Sequence, residues 1–354
     1  MAKPTESDAL IRSNNSLYRK YRPSEFDELR GQEHITSVLR AAVLGDKIAH
    51  AYLFAGGRGT GKTSSARILA RALGTSDSDI YEMDAASNRG IDEIRELRDG
   101  VATLPFESKY KFYIIDEAHA LTPQAWGALL KTLEEPPSHV VFVLATTELD
   151  RVPETIISRC QTFVFKKPSH EILKQLALDV AKKENATLAP AGAELIALMG
   201  EGSFRDTLGI LQKVLTVSSD AELTEEVVAT VVGAPSSHMV NTFILSLAKK
   251  DVAQALSTFH QALTSGVEAK VFVLLVVNKV RAVLLLRFAP EMKKALSQQF
   301  SEIDIAVLEK LAGKEGVVIN SQLLAEMLTA LLDTNRAPMP QIPLELALYK
   351  IFAQ

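Results

Sequence analysis

Gly56-Gly57-Arg58-Gly59-Thr60-Gly61-Lys62-Thr63 matches the pattern G-x-x-x-x-G-K-[ST]. Glycines in such a run let backbone N–H groups turn inward around phosphates, where bulky side chains would obstruct them. Lys62 is then within reach of the β- and γ-phosphates, and the Thr63 hydroxyl is placed to ligate Mg²⁺. The flanks agree with that reading. Residues 52–55 read as a buried strand before the loop. Ala66, Ile68, Leu69, Ala72 and Leu73 form the apolar face of a helix after it. The N-terminus of that helix would also turn the positive end of its dipole toward the anion.

Outward from the loop, the first half of the chain alternates short β-rich runs with helical patterns. Residues 52–55, 80–83, 111–115, 140–145 and 162–165 read as buried strands of a parallel α/β sheet. Lys167-Pro168-Ser169 breaks the pattern, and no strand is expected beyond it. Residues 169–232 read as a small helical domain. Ser169 is a candidate helix cap, Gly200 and Gly202 end another helix, and Ser203 with Asp206 resembles a capping box. Gly233-Ala234-Pro235-Ser236-Ser237 reads as a linker. Beyond it Leu323, Leu324, Met327, Leu328, Leu331 and Leu332 recur at helical spacing, as do Leu344, Leu348 and Ile351. Two readings of this last part stand open: a self-contained helical bundle, or one that also packs on other subunits.

Lys111-Phe112-Tyr113-Ile114-Ile115-Asp116-Glu117-Ala118-His119 is an apolar strand ending in two carboxylates. Beside a phosphate loop, Asp116 can hold Mg²⁺ through water, and Glu117 can orient and deprotonate an attacking water. An ordinary strand end with solvated acids is the plain alternative. Paired with the loop, the motif favours hydrolysis over kinase-type transfer. His119 reads as a local hydrogen-bonding residue rather than a metal ligand. The strand 140–145 ends in Thr146-Thr147, where a polar side chain would point at the γ-phosphate or the attacking water. Arg159, in Ser158-Arg159-Cys160, reads either as a surface charge or as an arginine finger for a neighbour's nucleotide. Arg205, near the start of a helix, is in place to contact the γ-phosphate.

Composition bounds the rest. At ~100–200 residues per domain, 354 residues suggest two or three domains. One cysteine excludes a disulfide framework and a four-cysteine zinc site. Lys+Arg 39 against Asp+Glu 43 leaves a net charge of −4, so a bulk-basic nucleic-acid coat is absent. Residues 1–15 carry no apolar core of signal-peptide type. The apolar stretch 271–288 is interrupted by Asn278, Lys279, Arg281 and Arg287, which argues against a membrane span. A soluble, cytoplasmic, multi-domain protein is expected.

Taken together, several stretches resemble one family. They are Tyr18-Arg19-Lys20-Tyr21-Arg22-Pro23, Gly31-Gln32-Glu33-His34, His50-Ala51-Tyr52-Leu53-Phe54, the phosphate loop, Asp84-Ala85-Ala86-Ser87 and Asp116-Glu117-Ala118-His119. Leu129-Leu130-Lys131-Thr132-Leu133-Glu134-Glu135-Pro136-Pro137, Leu144-Ala145-Thr146-Thr147, Ile157-Ser158-Arg159-Cys160 and Gly202-Ser203-Phe204-Arg205-Asp206 complete the set. The chain resembles the clamp-loader ATPases of the AAA+ class, in the gamma/tau line of bacterial DNA polymerase III.

The resemblance implies a RecA-like ATPase domain over 1–168, a helical lid over 169–233 and an all-helical collar over 234–354. It implies ATP held by Gly56, Gly57, Arg58, Gly59, Thr60, Gly61, Lys62, Thr63 and Ser64, with Mg²⁺ on Thr63 and Asp116. Tyr18, Arg22, Pro23, Leu29 and Arg30 match the part that packs on adenine and ribose. Thr147 matches the first sensor, Arg205 the second, and Arg159 the finger acting on an adjacent subunit. A pentameric ring of copies and related subunits is implied, opening a sliding clamp and placing it on primer-template DNA. The chain would be part of a polymerase complex without being its polymerising subunit. Arg89 resembles a DNA contact. Lys131 stands open between a DNA contact, a coupler to Glu117 and a solvated charge. Such contacts would be sequence-independent and salt-sensitive.

Two departures are visible. Gly74-Thr75-Ser76-Asp77-Ser78-Asp79 bridges the place where the family carries a zinc module, so no zinc is expected, and Cys160 reads as a packing residue. The chain stops at the collar, so the polymerase- and helicase-contacting extension of the longer form is not expected of it. The alternatives are another replication or recombination AAA+ ATPase of branch-migration or fork-maintenance type, a nucleotide-binding scaffold without turnover, and a small-molecule kinase. The Ser-Arg-Cys triplet and the collar-like end argue against the first. Intact Lys62, Asp116, Glu117 and Arg159 argue against the second. The lack of an acceptor-site signature argues against the third.

Overall fold

The computed structural model describes residues 16–88, 90–217, 222–313 and 318–352. The N-terminal stretch 1–15 and Arg89 lie outside the described residues. The chain divides into two compact units. One holds residues up to Leu173 together with Gly200–Gly209, and the other holds Lys174–Met199 with Ile210 onward.

The first unit is built on five parallel strands: β1 (Ala51–Gly56), β2 (Ile80–Asp84), β3 (Lys111–Asp116), β4 (Val140–Thr146) and β5 (Gln161–Phe165), in the order β2-β3-β4-β1-β5. Its helices are α1 (Leu17–Lys20), α2 (Glu33–Leu44), α3 (Lys62–Ala72), α4 (Ile91–Val101), α5 (Pro123–Glu134) and α6 (Glu154–Ile157). The period-2 alternation of a strand sorts its side chains onto two faces. Tyr52, Phe54, Phe112, Ile114, Val141 and Val143 pack with Ile35 and Leu39 of α2 and Ile68 and Leu69 of α3. Leu53, Tyr113, Ile115, Phe142 and Leu144 pack on the other face with Ile94 of α4 and Trp126, Leu129 and Leu133 of α5. Helices on both faces explain why β1, β3 and β4 read as unbroken apolar runs.

Local signals set the helix starts. The Thr122 hydroxyl accepts from Ala125 N at 3.2 Å, with Pro123 in the first turn of α5. Ser169 accepts from Ile172 N at 3.3 Å and Ser203 from Asp206 N at 3.2 Å. These open α7 (His170–Lys183) and α9 (Phe204–Val217), which flank α8 (Pro190–Met199).

The second unit continues through α10 (Glu225–Val232), α11 (Ser237–Ala248), α12 (Val252–Thr264), α13 (Ala269–Phe288), α14 (Lys293–Leu296), α15 (Glu302–Ala312), α16 (Ser321–Thr334) and α17 (Ile342–Phe352). Phe243, Phe259, Phe272, Val276, Leu308, Met327, Leu344 and Leu348 form its core. One expectation is corrected here. Two strands do follow residue 168: β6 (Thr187–Leu188) and β7 (Glu222–Leu223) pair in parallel, with Leu188 and Leu223 buried. Two residues are too few to carry an alternation in the sequence.

The polar interruptions of α13 have structural work. Lys279 is buried against Asp304, and Arg287 donates to Leu311 O and Ala312 O at the end of α15 and to Ile319 O just before α16. No single described helix is long and apolar enough to cross a membrane.

Candidate active site

Gly56, Asp84, Asp116 and Thr146 all fall at the carboxyl ends of parallel strands, the edge at which open α/β sheets bind ligands. From Gly56 the chain turns through residues 57–61 into α3. Gly59 has φ +70°, and a Cβ there would lie 2.0 Å from the Ser203 hydroxyl, so the position admits only glycine. The tightness comes from a main-chain bond, since Phe204 N donates to Gly59 O at 3.0 Å. The segment 200–209 is thereby fastened to the loop. It brings the Arg205 guanidinium over the Tyr18 ring, 5.6 Å from the centroid.

Lys62 is 6% exposed and donates through Nζ to Gly56 O and Gly57 O, each at 2.9 Å. Burial lowers its pKa below the usual lysine range, partly opposed by Glu117 and Asp116. An ammonium lodged on loop carbonyls, with glycine backbone around it, fits a polyphosphate cradle. The Thr63 hydroxyl donates to Asp116 Oδ2 at 2.8 Å. This pair of hard oxygens suits Mg²⁺, which takes one or two protein ligands and completes its shell with water and phosphate. Among the described residues no group of three or more His, Cys, Asp or Glu could hold a metal.

Glu117 is a non-glycine residue at φ +47°, in the left-handed region. Its N–H donates to Asp116 Oδ1 at 3.0 Å, and Thr147 Oγ1 donates to its Oε2 at 3.0 Å. The base and sensor candidates thus meet directly. His119 approaches the same carboxylate, with Nδ1 at 3.5 Å from Oε2.

The remaining candidates fall as follows. Arg22 is half-buried and donates from Nε to Ser64 Oγ at 3.0 Å, in the first turn of α3. Burial and the nearby Arg67 lower its pKa. Leu29 is buried, with its Cδ2 3.8 Å from where a Gly61 Cβ would sit; Pro23 and Arg30 are half-buried. Arg58 is exposed, and Thr60 Oγ1 closes the loop on Gly57 O at 2.9 Å. Arg159 donates to Thr155 O and to Glu134 Oε1, each at 2.7 Å, and neither partner belongs to the loop. Cys160 packs against the core beside α5, and burial pushes its thiol up to about 12. Lys131 is exposed on α5, off its buried face.

The bonds of Phe204 to Gly59 and of Arg22 to Ser64 were not legible in the sequence. Both join residues far apart in the chain, and the local pattern around each partner says nothing of the other. The same holds for the Gly74–Asp79 bridge. Asp79, fully buried, accepts from the N–H groups of Phe106, Glu107 and Ser108 at 2.6, 3.1 and 2.9 Å.

Residues 74–169 match the family model described as DNA polymerase III, delta subunit, and residues 223–353 match DNA polymerase III subunits gamma and tau domain III. The chain is 39% identical over 307 residues to the DNA polymerase III subunit tau of Bacillus subtilis, covering 81% of this chain and 54% of that protein. It is 36% identical over 299 residues to the subunit gamma/tau of Mycobacterium tuberculosis, covering 78% of this chain and 52% of that one. The chain thus spans about half the length of these two relatives. With the subunit gamma of Buchnera aphidicola it shares 29% identity over 362 residues, covering 95% of this chain and 96% of the relative. Among solved structures, the Thermotoga maritima RuvB Holliday junction branch migration motor superposes with a TM-score of 0.52 at 22% identity, covering 64% of this chain and 79% of that one. That likeness shows the fold, a parallel α/β sheet with flanking helices.

Proposed function

Because the chain is related along most of its length to the gamma and tau subunits of bacterial DNA polymerase III, we propose that it is an ATP-hydrolysing motor subunit of a clamp loader. The reading places it in the bacterial cytoplasm, in a ring with copies of itself and related subunits, acting on a sliding clamp and primer-template DNA. The observation that carries the ATPase part is the meeting of Thr63 with Asp116 beside a buried Lys62 and a Glu117 gripped by Thr147.

In this reading ATP enters with its phosphates along residues 56–64, and Lys62 exchanges its two carbonyl partners for phosphate oxygens. Bound Mg²⁺, held by Thr63 and Asp116, would neutralise charge on the β- and γ-phosphate oxygens. Glu117 orients a water on the γ-phosphorus. The water oxygen forms the new P–O bond as its proton passes to Glu117, and the bond to the β-phosphate oxygen breaks to leave ADP and inorganic phosphate. Thr147 fixes the Glu117 carboxylate, and Arg205 contacts the γ-phosphate from the segment bonded to Gly59. Arg159 serves the site of a neighbouring subunit. Lys131 and Arg89 are the proposed sequence-independent DNA contacts.

The test is steady-state ATP hydrolysis by the chain assembled with its partner subunits, with and without sliding clamp and primed DNA. Stimulation by both together, lost in Glu117→Gln, is expected. Absence of hydrolysis under all conditions would overturn the ATPase reading, and hydrolysis indifferent to clamp and DNA would overturn the clamp-loader reading.

A further inference from the structure

His119 sits on the short 3₁₀ turn Ala118–Ala120, just past Glu117, and its side chain is 11% exposed. Three oxygens surround the ring. Thr146 Oγ1 lies 3.0 Å from Nδ1, Glu117 Oε2 lies 3.5 Å from Nδ1, and Glu148 Oε1 lies 3.2 Å from Nε2. The hydroxyl of Thr146 is already committed. It donates to Glu148 O at 3.2 Å and accepts from Glu148 N at 3.0 Å. Its remaining lone pair can only accept, so Nδ1 is the donor to Thr146, with Glu117 Oε2 as the next oxygen at 3.5 Å. Glu148 is shared on its outer side with Arg151, at 3.3 Å.

We propose that His119 is a positioning residue for Glu117, a donor anchored on Thr146 and Glu148 at the end of β4 that fixes which carboxylate oxygen faces the attacking water. Thr147 Oγ1 donates to Oε2 and His119 Nδ1 lies 3.5 Å from the same oxygen, so both neighbours bear on Oε2 and the attacking water falls to Oε1. The left-handed backbone at Glu117 supports the same role. Ala120 N donates to Glu117 O at 2.8 Å, closing the turn that swings the imidazole back beside the carboxylate. The proposal rests on Glu117 being the base.

The test compares His119→Ala, His119→Asn and His119→Gln in the assembled, clamp- and DNA-stimulated ATPase. An asparagine amide reaches the Nδ1 position, and a glutamine amide reaches nearer Nε2. ATP affinity, measured by direct nucleotide binding, should stay within about twofold in all three, while kcat falls about ten- to a hundredfold in the alanine variant. Asparagine should restore most of that loss and glutamine little. In a Glu117→Gln background, His119→Ala should change the residual rate by no more than about twofold. Unchanged kcat in His119→Ala, or equal rescue by both amides, would overturn the positioning role. ATP hydrolysis undiminished by Glu117→Gln in an otherwise wild-type chain would instead overturn the assignment of the base.

Discussion

Arg159 and Glu134 form an ion pair of 2.7 Å within one chain, joining the residues just after α6 to the last residue of α5. Both side chains are about a third or more exposed, and such pairs are worth about 0.2–1 kcal/mol. An arginine supplied to a neighbour's phosphates is worth about 10³–10⁵ in rate. An ion pair this weak is no obstacle to the proposed trans role, since docking of a second subunit can release Arg159 from Glu134 at little cost. Arg159→Ala is expected to leave ATP affinity nearly unchanged and to abolish the acceleration on assembly. Rings mixing Arg159→Ala with Lys62→Ala chains should regain part of it. Absence of recovery in rings of confirmed mixed composition would remove the trans role.

Asp116→Asn should separate nucleotide binding from turnover. The amide keeps the shape and can still accept from Thr63, but it loses the charge that a divalent cation needs. Expected are a kcat reduced by about a hundredfold or more and a higher Mg²⁺ concentration for half-maximal rate, read from a magnesium titration of hydrolysis. An unchanged magnesium midpoint would show that the cation is held elsewhere.

Asp79 carries a pH-dependent part of the stability. Burial pushes its carboxyl up, but the N–H groups of Phe106, Glu107 and Ser108 outweigh that and hold it below the usual aspartate range. A carboxyl depressed in the folded state adds stability above its unfolded value of about 4, lost as the pH falls through the folded value. Asp79→Asn should cost about 1–3 kcal/mol at neutral pH, with the deficit narrowing below about pH 4. Urea denaturation at a series of pH values reads both, and a deficit constant down to about pH 3 would contradict the account.

Lys279 and Asp304 are almost wholly buried, 2.6 Å apart, with Ser237 and Asn241 bonded to both. Burial pulls the lysine pKa down despite the attraction of Asp304. Burial alone would raise the Asp304 carboxyl, but the Lys279 ammonium holds it below the usual range. Lys279→Met leaves a buried carboxylate without its cation and should cost about 3–5 kcal/mol. Lys279→Met with Asp304→Asn should recover a large part of that in chemical denaturation. Equal losses in the single and double variants would show that the two charges are not coupled.

The three central strands were legible because they are covered on both faces, whereas the expected burial fails at the edges: β2 has no buried residue, and β5 buries only Phe163 and Phe165. Burial on two sides turns β1, β3 and β4 into continuous apolar runs, bounded by Gly56 at the end of β1, by the two carboxylates at the end of β3 and by Pro136-Pro137 before β4. The α5 face could be read from Trp126, Leu129 and Leu133, and its start from Thr122-Pro123. The phosphate loop was legible because its glycines answer to backbone geometry. What escaped was everything settled between distant positions. Lys279 reads only as an interruption of an apolar helix until Asp304 is beside it. Arg22 finds Ser64 across 42 positions, and β6 and β7 are too short for any period.

The bond from Phe204 N to Gly59 O has a consequence for genetics. It runs from main chain to main chain, so trimming the Phe204 side chain to alanine leaves it intact and reports that end as a bystander, while alanine at Gly59 brings a clash of its own with Ser203. One natural residue erases it: proline at 204 has no N–H to give. Position 204 is also the first residue of its helix, where proline is welcome. Phe204→Pro therefore uncouples the arginine-bearing helix from the loop without unwinding it, a lesion invisible to side-chain mutagenesis.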